Sequence, residues 1–162
     1  NGHNRRTCPK IQADKDMFVK LSKQARAALL SRLQSHGVGP GALLTGEGYD
    51  GSKQAYLVTG LEWSQVHRKS YYDGHRCHQI LKVREVSRNK PTNILLPAAC
   101  SGDESYNNRY VIAGPATSVE PPAGWLECKD PDVDGCGLFD KGQDRDYWFW
   151  RDIDSAEEAA TE

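Results

Sequence analysis

The sequence predicts an α+β fold in which one N-terminal amphipathic helix packs on a twisted antiparallel β-sheet. Three observations carry this prediction. A single helical periodicity occupies the first third of the chain, and from Ala42 onward short strand-like runs are separated by turn residues. The helices that parallel βαβ crossovers would need are not found. A mostly-β sandwich with the helix outside is the alternative. The chain of 162 residues suits one globular domain over 1–162, with a frayed tail at about 155–162 where DSAEEAATE ends the sequence.

Each element follows from local chemistry. Residues 1–11, NGHNRRTCPKI, read as an extended arm pinned by Cys8. Asp14 is placed to cap the helix, and Phe18, Leu21, Ala25, Ala28, Leu29 and Leu33 then recur at the three-and-four spacing of one face. Lys15, Lys20, Lys23, Arg26 and Arg32 are assigned to the other faces, and Gly37, Gly39 and Pro40 stop the helix. GEGYDGS at 46–52 reads as a loop. QAYLVTGLEW at 54–63 and HQILKVREVS at 78–87 have strand composition, with Gly60 a candidate bulge. Asp73-Gly74 marks a turn between them, so the two are expected to pair antiparallel. NILLPAA at 93–99, RYVIAG at 109–114, WLEC at 125–128 and DYWFWRDI at 146–153 complete the predicted strands.

Charge is unevenly spread. Lys and Arg number nine against five acids over 1–66, seven against two over 67–90, and five against fifteen over 101–162; the resulting +4, +5 and −10 give the net −1. This gradient implies either mutual neutralisation within one fold or a basic face offered to a polyanion or acidic partner. No apolar run approaches the roughly 18 residues needed to cross a bilayer, so no membrane span is expected.

Five cysteines, Cys8, Cys77, Cys100, Cys128 and Cys136, accompany a single Met. Their spacing matches no CxxC or zinc-finger pattern, which points to an oxidising compartment and a secreted, extracellular protein. Two disulfides and one odd cysteine are expected, with Cys128–Cys136 a local loop and Cys8 joined to Cys100 or Cys77. The start NGHNRRT is consistent with numbering after removal of a signal segment.

Trp63 to Lys90 concentrates imidazoles (His67, His75, His78), aromatics (Trp63, Tyr71, Tyr72), the Cys77 thiol and positive charge. In an extended HRCH run, His75 and Cys77 share a face and His78 opposes them, so one metal does not collect all three. For acid–base cleavage of RNA, His67, with Glu62 or Glu85, Arg84 or Arg109, and Tyr71 or Tyr72 are the residues that supply proton transfer, charge stabilisation and base contact. The catalytic set under that reading is His67, Glu85 and Arg84. The helix-then-sheet order resembles that of the small secreted guanyl-specific ribonucleases and of the non-catalytic fungal effector proteins sharing their fold, a resemblance of architecture without a shared motif. Those enzymes place a catalytic histidine on a late strand, whereas no histidine follows His78 here. An RNase-like scaffold that binds without cutting is the form of the resemblance that escapes this mismatch.

Two further features lie in the C-terminal third. Asp130, Asp132 and Asp134 followed by Gly135 reproduce the opening of a calcium loop, with Asp140 a further oxygen donor; Lys141 stands where the bidentate Glu belongs, and an acidic turn stapled by Cys128 and Cys136 is the competing assignment. In DYWFWRD, alternation places Tyr147 and Phe149 on one face and Trp148 and Trp150 on the other, for core packing or for a partner.

Together these features predict a secreted, disulfide-stabilised monomer that binds a host or extracellular protein, of the virulence-effector or toxin-like type. The predicted contact residues are Trp63, Arg68, Lys69, Tyr71, Tyr72, His75, Arg76, Trp148 and Trp150. A ribonuclease-like hydrolase or RNA binder and a calcium-stabilised extracellular module are the alternatives, and no cofactor other than calcium is indicated.

Overall fold

A computed structural model describes residues 9–47, 51–66, 79–101 and 110–129. The fold is α+β. Helix α1 (Pro9–His36) is followed by strands β1 (Leu43–Glu47) and β2 (Lys53–Leu61), a single 3-10 turn at Trp63–Gln65, β3 (Leu81–Glu85), β4 (Lys90–Ile94), the short helix α2 (Ala98–Ser101) and β5 (Val111–Gly114). The strands form one antiparallel sheet in the order β4-β3-β2-β1-β5. The chain therefore leaves β4 at one edge and returns as β5 at the other. All described strands belong to this sheet, which gives the sandwich alternative no second layer among them.

Helix α1 begins at Pro9, before the predicted cap at Asp14, and so replaces the last part of the expected extended arm. The cause is local: proline lacks the amide hydrogen that a first helical turn leaves unused, and its fixed φ already suits the helix. At the other end the expected stop is met in detail. Gly37 adopts φ +64°, Val38 N–H donates to Leu33 O at 2.9 Å and Gly37 N–H to Gln34 O at 3.3 Å. These two bonds form a Schellman cap, and Val38 and Leu33 are buried together in the core.

The buried stripe of α1 is Ser22, Ala25, Arg26, Leu29, Leu30 and Leu33. Ala28, predicted on that face, is exposed, and Arg26, predicted on an outer face, is 0% exposed. Leu29, Leu30 and Leu33 pack into one cluster with Leu44, Tyr56, Val58, Leu61, Leu81, Val83 and Ile94 of the sheet and with Leu96, Cys100, Val119 and Trp125 beyond it. Each fully buried aliphatic side chain contributes about 1.5–3 kcal/mol by leaving water.

Strands β2 and β3 pair antiparallel as expected, from Tyr56 opposite Glu85 to Leu61 opposite Leu81. Their register shifts between Val58 and Gly60, so the predicted bulge is present and the inward set moves from Tyr56 and Val58 to Leu61. Leu43–Glu47 is a strand whose last two residues lie in the expected 46–52 loop. The 125–128 segment, predicted as a strand, is instead a series of turns. Trp125 N–H donates to Pro122 O, Cys128 N–H to Trp125 O and Lys129 N–H to Gly124 O, with Gly124 at φ +80°. The 146–153 strand lies outside the described residues. Among the described residues no helix is long and apolar enough to cross a membrane.

Candidate functional site

Alternation along the strands divides the sheet into an inner face under α1 and an outer face. On β3, Leu81, Val83 and Glu85 are buried, while Lys82 and Arg84 are exposed. Cross-strand neighbours share a face, so Arg84 stands beside Leu57, and Leu57 beside Leu43. In the next row Val86 continues the β3 register by donating its amide to Ala55 O at 2.9 Å, Ala55 faces Thr45, and Thr45 faces Val111. The exposures are 37% for Leu43, 40% for Leu57, 57% for Val86 and 63% for Val111. Among the described residues only Leu126 joins them as an exposed large apolar side chain. Such residues scattered singly need no explanation, whereas four gathered on one sheet face form a patch of the kind that marks an interaction surface.

The rim of this patch is basic on the β3–β4 side. Residues 79–101 carry Lys82, Arg84, Arg88 and Lys90 against one acid, Glu85. Glu85 is turned to the inner face, where Ser87 Oγ lies at 2.8 Å and Arg88 Nε at 3.4 Å from its Oε1. Lys82 Nζ lies 3.0 Å from Glu62 Oε1. Arg84 Nη1 donates to neutral acceptors, Asn89 O at 2.9 Å and Asn89 Oδ1 at 3.0 Å, an arrangement permitted by Asn89 at φ 52° in the tight turn. Arg84 is thus the register neighbour of Leu57, and its guanidinium, drawn to the β3–β4 turn by Asn89, is paired with no carboxylate among the described residues.

This geometry bears on the catalytic set. Glu85 and Arg84 are successive residues of one strand, and they point to opposite faces of the sheet. They do not share a cleft. His67 and Arg109 lie outside the described residues.

Trp63 is half-buried and spent internally. Its ring meets Trp125 edge-to-face at 4.8 Å between centroids, and its carbonyl accepts from Trp125 Nε1 at 2.7 Å. Beneath the pair lies Arg26, whose Nε donates to Val66 O and whose Nη1 donates to Trp125 O, both at 2.6 Å. The guanidinium carbon sits 5.0 Å from the Trp125 ring centre, so the cation is held by two carbonyl dipoles and a π-face. Three segments distant in sequence are tied here by one side chain. The predicted contact residues Arg68, Lys69, Tyr71, Tyr72, His75, Arg76, Trp148 and Trp150 lie outside the described residues.

Cys100 is a fully buried thiol. Its Sγ approaches Arg32 O at 3.9 Å, and Arg32 Nε returns a bond to Cys100 O at 2.9 Å. Burial pushes the thiol up from its ordinary 9.0 to about 11, with the Arg32 charge pulling the other way. Cys100 is a free thiol, so the expected alternative of a Cys8–Cys100 bridge is not made. Cys128 is half-buried within the 123–128 turns; Cys8, Cys77 and Cys136 lie outside the described residues. So do Asp130, Asp132, Asp134 and Asp140, the expected calcium donors. Among the described residues no group of three or more His, Cys, Asp or Glu side chains is arranged to hold a metal ion.

The outer face was not singled out by sequence reasoning, which looked for titratable clusters. The available signal was the apolar content at alternate positions of β1 and β2, Leu43 and Leu57, in strands that are also apolar on the other side. No protein family, curated protein or solved structure matches the chain.

Proposed function

We propose that this is a secreted, disulfide-stabilised protein of the virulence-effector or toxin-like type that acts by binding a macromolecular partner on the outer face of its sheet. The observation that carries this reading is the exposure of Leu43, Leu57, Val86 and Val111, in two adjacent rows, on the sheet face that Arg84 shares. Apolar surface left in water costs about 25 cal/mol per Å², so a contiguous patch gives a partner something to gain by covering it. The opposed directions of Arg84 and Glu85 support binding over nuclease chemistry, because an acid–base site needs its groups to converge on one phosphate, and these two lie on opposite faces of the sheet. Five cysteines beside one Met support the secreted compartment.

A capture experiment tests the assignment. Wild-type protein and a Leu57→Asp, Val111→Asp double variant, shown by circular dichroism to be folded, are immobilised and challenged with the same host-tissue extract. Molecules retained by the wild type and lost by the variant are the expected result. Identical retention by the two overturns the outer face as the binding surface.

A further inference from the structure

Resting on the binding reading above, we propose that the outer face takes an extended protein segment in which aspartate or glutamate is followed two residues later by Leu, Ile or Val. The face is aliphatic, and the described aromatic rings are placed elsewhere. Tyr56 is on the inner side, edge-to-face with Tyr110 at 5.6 Å, and Trp63 meets Trp125 edge-to-face. Single-stranded nucleic acids and many sugars are held on aromatic platforms. A face of Leu43, Leu57, Val86 and Val111 matches aliphatic side chains of a protein instead.

The charge beside the patch fixes the rest of the motif. Arg84 is the cross-strand neighbour of Leu57, and Leu57 of Leu43, so cation and apolar pair lie in one row across the sheet. Neighbouring strands are about 4.8 Å apart, and alternate residues of an extended segment repeat about every 6.8 Å on one side. A segment crossing the strands with a carboxylate at Arg84 therefore delivers its next same-side residue over Leu57 and Leu43. Among the described residues the Arg84 guanidinium meets neutral oxygens of Asn89, which leaves donors for a bidentate carboxylate. The partner is thus acidic and aliphatic, the complement of the row it covers.

Fluorescence anisotropy with three labelled probes tests this: a peptide repeating Glu-x-Leu, the same peptide with Lys for Glu, and a uridine-rich single-stranded RNA. The acidic peptide is expected to bind tightest. Leu57→Asp should weaken it by about tenfold or more, the equivalent of 1.4 kcal/mol, and Arg84→Glu should transfer the preference to the Lys peptide. Because the Arg84→Glu variant gains an affinity, its result does not depend on the folding of the Leu57→Asp variant. Equal binding of the acidic and basic peptides, or binding untouched by Leu57→Asp, overturns the motif. Tight RNA binding with no peptide binding overturns it while leaving a macromolecule-binding protein. Dimerisation in sedimentation that Leu57→Asp abolishes also overturns it, by giving the face to a second copy. If the capture experiment retains nothing specific, the binding reading itself fails, whatever the peptides do.

Discussion

Arg26 shows how much a single side chain decides here. A guanidinium is never deprotonated in a protein, so its complete burial demands that several of its donors be satisfied. Val66 O and Trp125 O, both at 2.6 Å, and the Trp125 ring supply partners. In return Arg26 fixes the exit from β2 and the 123–128 turns against the middle of α1. Arg26→Met keeps the apolar stem but strands two buried carbonyls, each worth about 1–3 kcal/mol when unsatisfied. The variant is expected to lose about 3 kcal/mol in urea unfolding, with the midpoint displaced and the slope unchanged. A midpoint equal to wild type would mean that the two carbonyls find other donors. Cys100 is the contrasting residue: equally buried, but with its thiol held neutral far above physiological pH, so it behaves as a small apolar group rather than a nucleophile.

At the scale of elements, the end of α1 is the tightest junction. Gly37 combines a left-handed φ of +64° with a site where an added Cβ would lie 2.5 Å from Pro115 Cβ, and its carbonyl accepts the Ala116 amide at 2.7 Å. Gly37→Ala thus meets both backbone strain and a collision with the segment after β5. A loss of about 2–3 kcal/mol is expected from the left-handed penalty and the clash together, read as a lowered melting temperature; a melting temperature within error of wild type would show that the Pro115 segment moves aside. The glycine stop was legible in the sequence because only glycine takes that conformation cheaply. So were the β2–β3 pair and the Gly60 bulge, since alternation and a glycine within a strand are local signals. The start of α1 was misread because Pro9 serves equally in an extended arm and in a first helical turn. WLEC was misread because its apolar composition outweighed Pro121, Pro122 and Gly124, whose turns set the backbone. The burial of Arg26 was beyond periodicity, which assigns charge to the outside. The outer face was hidden for a related reason: β1 and β2 carry leucines on both sides, and which side the helix covers is a tertiary fact.

The whole molecule sets these elements in a field that changes sign along the chain, +5 over 67–90 and −10 over 101–162. A positive field attracts RNA without conferring chemistry on it, so cleavage is the measurement that separates a nuclease from a binding scaffold. Transesterification of RNA needs a base and an acid on opposite sides of one phosphate, with a cation beside it. Of the residues named for that role, Glu85 points to the inner face and is engaged by Ser87 and Arg88. Arg84 points to the outer face and is engaged by Asn89. Glu62, the other acid considered, is ion-paired with Lys82. Total RNA incubated with the purified protein is therefore expected to remain intact over hours, and wild type and a His67→Ala variant should be indistinguishable. Degradation by the wild type that His67→Ala removes would place a catalytic imidazole in this protein and return it to the ribonuclease-like class. Degradation that both proteins share equally would trace to a contaminant or to residues other than His67, a distinction that Glu62→Gln would then make.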